Sequence, residues 1–178
     1  TPDMGAAIVA AAHMNGTGGS SSSIGHKVRF LAEKYAHTAI TITRDGVTLE
    51  GAGKQATQLM YLSTTGDGIT FGDGSDIIFR PTIRNMTITT ASGVERTAGA
   101  NLAILRGRGG AIDNVDIEDY HDGITLTGVS WMNIYNIIAS NTNRTIKSGE
   151  FISLLYHTAS TSTCSDNKFA IIRASGGA

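Results

Sequence analysis

A single cysteine, few aromatics and few charges set the first limits on this chain of 178 residues. Cys164 alone excludes an internal disulfide framework and any metal site built from several thiolates. Charged residues make up only 16 % of the chain, and 14 Lys and Arg stand against 15 Asp and Glu, a net charge of −1. No basic field is available to hold a phosphate backbone or an anionic bilayer, so neither nucleic acid nor membrane is an expected partner. The longest apolar stretch, Ala6 to Ala12, falls far short of the roughly 20 residues that span a bilayer. No leader is visible ahead of Thr1, and the Ser-Gly-Gly-Ala end reads as a mature product or an excised piece of something longer. What is abundant is Gly, 22 residues, with 22 Thr and 15 Ser, a mixture of β-tolerant hydroxyl residues and turn formers that predicts many short strands. With 40 % hydrophobic residues, the chain can bury the core of one domain.

One helix is expected, from Asp3 to His13, capped by Asp3, rich in Ala and stopped by Gly16, Gly18 and Gly19. With the Gly/Ser loop after it, this segment forms an N-terminal capping region over 1–25, and 26–178 reads as strands alone. These are placed near Lys27 to Leu31, Ala39 to Ile42, Val47 to Glu50, Gln58 to Leu62, Ile69 to Phe71, Ile77 to Phe79 and Ile83 to Thr89. Six more follow, near Leu102 to Leu105, Ala111 to Glu118, Ile124 to Leu126, Ile134 to Ala139, Ile152 to Tyr156 and Lys168 to Ile172.

Two repeats organise them. Asp45-Gly-Val-Thr-Leu49 recurs as Asp67-Gly-Ile-Thr-Phe71 and Asp122-Gly-Ile-Thr-Leu126. Ile83-Arg-Asn-Met-Thr-Ile88 recurs as Ile112-Asp-Asn-Val-Asp-Ile117 and Ile134-Tyr-Asn-Ile-Ile-Ala139, with a degenerate copy at Asn167-Lys-Phe. The offsets fit one or two coils of a parallel β-helix, in which no coil can bury its apolar face without the next. Asn85, Asn114 and Asn136 are expected at a left-handed bend, stacked as a hydrogen-bonded ladder. An antiparallel sandwich with Gly-rich hairpins accounts for short strands, but not for a hexad recurring in phase.

The run Ala-Ala-Ile-Val-Ala-Ala-Ala, a Gly/Ser loop, His26-Lys-Val-Arg-Phe-Leu-Ala-Glu-Lys-Tyr35, and then Ile40-Thr-Ile-Thr-Arg-Asp-Gly-Val-Thr-Leu-Glu-Gly-Ala-Gly53 resembles the N-terminal segment of pectate-lyase-like right-handed β-helices. Ala32-Glu-Lys-Tyr35 stands where that pattern has Pro-Gly before its Tyr. The resemblance covers roughly residues 3 to 141 and is closest to the tailspikes and fibres of bacteriophages. It implies an all-β fold, a right-handed single-stranded parallel β-helix with a short N-terminal capping helix. It further implies a virion or extracellular location, a homotrimer, other virion proteins as partners, and host-surface polysaccharide as ligand. The superfamily holds lyases, hydrolases and inert adhesins alike, so the function must be argued from the site.

The second repeat assigns faces. If Ile112, Val115 and Ile117 point inward, Asp113, Asp116 and Glu118 point outward, and Arg84, Asp113 and Tyr135 share one column across coils. Thr87, Asp116 and Ile138 share a second, and Thr89, Glu118 and Ser140 a third. Asp113, Asp116 and Glu118 are the candidate catalytic residues, because two carboxylates at a fixed separation can hydrolyse a glycosidic bond. The competing reading is surface pairing, with Arg84 bridging to Asp113 and Arg106 or Arg108 near by. Tyr120, His121 and Tyr135 are the candidate substrate-binding residues, with Trp131 beside them; the aromatics serve equally as interface residues. Asp45, Asp67 and Asp122 read as Asp-Gly turns, and Arg106-Gly-Arg-Gly-Gly110 as a mobile charged turn. His13, His26, His37 and His157 make no metal spacing, and no cofactor is implied. Attachment to polysaccharide is the leading expectation, and a polysaccharide lyase or glycoside hydrolase is the alternative.

Overall fold

A computed structural model describes residues 2–13, 26–141, 151–155 and 165–176. The Gly/Ser loop, Tyr156, His157 and Cys164 lie outside the described residues. The fold is mostly β, with parallel sheets and one short N-terminal helix, α1 (Gly5–His13). Its strands are β1 (Lys27–Arg29), β2 (Lys34–His37), β3 (Ile40–Ile42), β4 (Thr48–Glu50), β5 (Gln58–Tyr61), β6 (Ile69–Phe71), β7 (Ile78–Phe79) and β8 (Thr82–Thr90). They continue as β9 (Ala100–Leu105), β10 (Gly107–Arg108), β11 (Ala111–Glu118), β12 (Asp122–Thr127), β13 (Asn133–Asn141), β14 (Ile152–Leu155) and β15 (Lys168–Gly176).

Among the described residues every strand pair is parallel. Sheet A runs β1-β4-β8-β11-β13-β15, with β2 and β5 added along the second half of β8. Sheet B runs β3-β6-β9-β12-β14, and sheet C pairs β7 with β10. Bridges from Arg108 to Ser130 and from Ser130 to Ser165 extend sheet C by two rungs. From β8 onward the chain visits A, B and C in turn and returns to A, the crossover pattern that parallel strands require. Inward side chains of successive strands stack on one another: Ile83, Ile112 and Ile134 lie in register, as do Ile88, Ile117 and Ala139, and all are buried. At roughly 25 cal/mol per Å2 of apolar surface, such rows supply most of the stabilisation.

The same pairing puts Asp113 between Arg84 and Tyr135, Asp116 between Thr87 and Ile138, and Glu118 between Thr89 and Ser140, the three columns that the hexad predicts. Asn85, Asn114 and Asn136 bend sheet A with φ of 57°, 54° and 55°, a region that Asn tolerates better than other side chains. Asn114 donates to Asn85 Oδ1 at 2.9 Å, while Asn136 leans to Asp113 Oδ1 at 3.5 Å. A second left-handed column marks the exit from sheet C, comprising Gly46, Arg80, Gly109, Trp131 and Asp166.

The helix is fastened at the β1 and β3 edge of the sheets. Asp3 caps it by accepting from Gly5 N at 2.8 Å, and accepts from Thr38 N and Oγ1 as well, three bonds that hold its carboxyl below the usual range. Ile8 and Ala12 are buried in the same core cluster as Ile40 and Ile42.

Four expectations need correction. Lys34–His37 is a strand, although the Ala32-Glu-Lys-Tyr35 run reads as a turn: Tyr35 packs edge-on to Phe30 at 5.3 Å and His37 is fully buried. Gly107–Arg108 is likewise a strand pairing with Ile78–Phe79, not a mobile turn. Of the three Asp-Gly pairs, only Asp45-Gly46 uses a positive φ. Gly123 instead lets the next strand close in, since a Cβ there would stand 2.5 Å from Phe151 O. Finally, Arg84 does not bridge to Asp113; its Nη2 lies 3.0 Å from Glu50 Oε1, one rung earlier.

Candidate functional site

The three candidate carboxylates sit on the outer face of β11, but that face is not open. After β4 the chain turns across the bend of sheet A. Gly51 N donates to Arg84 O and Gly53 N to Asn85 O, each at 3.0 Å, an approach so close that a Cβ on Gly51 would overlap the Asn85 carbonyl. Thr57 locks the loop by donating to Leu31 O at 2.7 Å and accepting from Ala52 N at 2.9 Å. Its tip therefore lies over the acidic columns.

There Lys54 Nζ forms an ion pair with Asp116 Oδ1 at 2.8 Å and donates to Asn136 O at 3.0 Å. Gln55 donates through Nε2 to Glu118 Oε1 at 2.8 Å and through its backbone N to Thr87 Oγ1 at 3.1 Å. Asp116 is left 8 % exposed, too little for a glycosidic oxygen to reach it. Asp113 and Glu118 are half-buried. Cations gather instead around Glu50, where Lys27 and Arg84, each at 3.0 Å, with Arg29 at 3.6 Å, hold the carboxyl below the usual carboxylate range.

The candidate substrate-binding residues part company. Tyr135 is half-buried beside Asp113 in register. His121 turns its Nδ1 to Asp122 Oδ1 at 3.2 Å. Tyr120 belongs to the core: it is 5 % exposed, its ring lies 5.9 Å from that of Phe151, and burial raises its pKa. It offers no face to a sugar, because the chain turns inward after Glu118.

The open aromatic surface lies elsewhere. At the exit from sheet C, Phe79, Arg80, Arg108, Gly109 and Trp131 line a shallow, open groove. Trp131 is 51 % exposed and Phe79 43 %. The Arg108 guanidinium stands 4.3 Å from the centre of the indole, a contact worth about 0.5–1 kcal/mol at an exposed site. On the far rung, Trp131 Nε1 donates to Asp166 Oδ2 at 3.1 Å, which fixes the plane of the ring. Phe79 N donates to Asp45 Oδ1 at 2.9 Å on the near rung. Sequence reasoning names Trp131 and Arg108 separately. The signal that joins them is the spacing of the left-handed residues, 80, 109, 131 and 166, which sets them on neighbouring rungs.

Among the described residues, no three His, Cys, Asp or Glu side chains converge as metal ligands. The chain matches no family model, and searches of curated proteins and of solved structures find no significant similarity.

Proposed function

We propose that the chain is a right-handed parallel β-helix module of a virion spike or fibre, a rigid solenoid that holds host-surface polysaccharide without cleaving it. The A-B-C circuit, the stacked inward rows and the helix at one end support the solenoid. The observation that carries attachment is the contrast between the two surfaces. The carboxylates suited to hydrolysis are covered by Lys54 and Gln55, while Trp131 and Phe79 stand open on fixed backbone. Sugars present apolar C–H faces that stack on such rings, and a preorganised ring loses little entropy on binding. The test is an array of bacterial surface polysaccharides probed with the whole chain and with Trp131→Ala. Retention of some polymers, lost in the variant, with no new reducing ends or unsaturated uronates, is the expected result; retention that Trp131→Ala leaves intact refutes the reading.

Hydrolysis is the second reading, favoured by the placement of Asp116 and Glu118 two residues apart on one strand face. That spacing sets their Cα atoms about 6.5 Å apart, and carboxyls that project side by side from it fall near the separation of those of inverting glycosidases. It requires the 51–57 loop to lift. Product release that disappears in Asp116→Asn or Glu118→Gln moves this reading to first place. A homotrimer with other virion proteins as further partners is the assembly that we propose, through the outward strip of Ile138, 41 % exposed, and Tyr135. Sedimentation of the chain as a monomer at micromolar concentration counts against that strip.

A further inference from the structure

Two arginines on an open aromatic groove are an unusual expense for a chain with 14 basic residues. Arg108 is engaged with the indole. Arg80 is exposed, and among the described residues no carboxylate oxygen lies within 4.0 Å of its guanidinium or of that of Arg108. The two acids of the column, Asp45 and Asp166, lie outside the lining; each accepts from a neutral N–H, of Phe79 and of the indole, and keeps its charge at one end of the groove. The five lining residues themselves carry two positive charges and no negative one.

The backbone beneath it fixes where the two side chains stand. Arg80 and Trp131 hold φ of 52° and 60°, in a column where Gly46 and Gly109 make the same bend. A non-glycine residue there costs about 1–2 kcal/mol. Asp166 on the next rung takes φ of 55°, and Gln55, Arg106 and Asp119 bend the chain in the same way elsewhere, so the conformation belongs to the corners of the coil; at this corner it sets Arg80 and Trp131 on the lining of the groove.

We infer that the groove binds an anionic sugar unit, with its ring against Trp131 and Phe79 and its carboxylate, sulfate or phosphate on Arg80. The inference rests on the polysaccharide reading and adds the charge class of the ligand. A guanidinium offers paired N–H donors that match two oxygens of such a group, a geometry that lysine lacks. The net charge of −1 gives the chain no general attraction for polyanions, so a preference for acidic polymers must come from a local site.

The experiment prints each acidic polysaccharide of the array beside its own carboxyl-reduced, desulfated or dephosphorylated counterpart, and probes both with the whole chain. The polymers retained are expected to be acidic, and their neutralised counterparts to bind about tenfold more weakly. Which treatment abolishes binding identifies the anion. Arg80→Gln should reduce the acidic polymer to the level of its neutral counterpart, and Arg80→Lys should restore only part of the difference. Arg29→Gln, which removes an exposed charge on another face, should change nothing; an equal loss there overturns the inference in favour of general electrostatics. Thermal melts of each variant confirm that a loss is not unfolding. If acidic and neutral forms bind equally, or Arg80→Gln keeps the preference, the inference fails while attachment stands. If no polymer of either kind is retained, attachment itself fails.

Discussion

Replacing Lys54 with Met removes the cation from Asp116 and leaves the rest of the 51–57 loop able to pack. Breaking a buried ion pair from one side costs about 3–5 kcal/mol, because the remaining charge is stranded. Here the side chains keep 19 % and 12 % exposure, so water compensates in part and about 2–3 kcal/mol is expected. Asn136 O loses its donor as well, but lies on an exposed residue and regains water. For a chain of this length each kcal/mol moves the melting point by about 2–4 °C, so calorimetry should show a fall of about 5–10 °C. The pair is sheltered, and the fall should persist at high salt. The double variant Lys54→Met with Asp116→Leu should regain most of the loss, since the new side chain lies in register with Ile138 and no charge remains to be stranded. A fall below 2 °C in the single variant, or a double variant no more stable than the single, refutes the account of the loop as a charge-fastened cover.

Ile8→Asp places a carboxylate in the cluster that joins the helix to β3; loss of soluble protein or a fall of more than about 8 °C is expected, and an unchanged melt would show that the helix is dispensable. Asn114→Val puts a β-branched residue at φ 54° and deletes the bond to Asn85, so a loss of about 2–3 kcal/mol should appear in urea titration, against a smaller one for Asn114→Gly. His37 is fully buried between Tyr61 and the helix cap; burial lowers its pKa, with Arg96 acting in the same direction and Asp3 and its bond to Thr38 O against it. Below about pH 6.5 the unfolded chain binds a proton at His37 that the folded chain refuses, so stability should fall on acidification by up to about 1.4 kcal/mol per pH unit until the folded pKa is reached. The lowered carboxyls of Asp3 and Glu50 add their loss only at lower pH, and His37→Asn should flatten the profile above about pH 5; an identical slope in the variant refutes the assignment.

Much of the strand register was legible because the repeat is local and strict. Ile112, Asp113, Asn114 and Val115 each have a counterpart 29 residues back and 22 residues on, and parallel pairing places like beside like. The site was less legible because its parts are not repeated. The 51–57 loop occurs once, so nothing in the hexad says that Lys54 and Gln55 cross over to β11. The error over Arg84 has the same origin: counting charges along the chain set it against the acids that follow, whereas Glu50, 34 residues earlier, is its register neighbour through β4. Tyr120 is misplaced because it is chosen for its nearness in sequence to the acidic strand, whereas Asp119 takes φ of 49° and turns the chain inward. Lys34–His37 and Gly107–Arg108 were missed because neither has the β-branched residues by which strands are recognised.

The left-handed column at the exit from sheet C has a consequence for how the molecule can change over time. Its five rungs are filled by Gly, Arg, Gly, Trp and Asp on one backbone path, while the buried rows beside them hold almost nothing but aliphatic residues. Scaffold and display are thus written in separate positions. Under the proposed attachment, a new ligand preference would be reached by exchanging side chains along this column, including the refilling of Gly109, at the cost of local strain and without repacking any interior row.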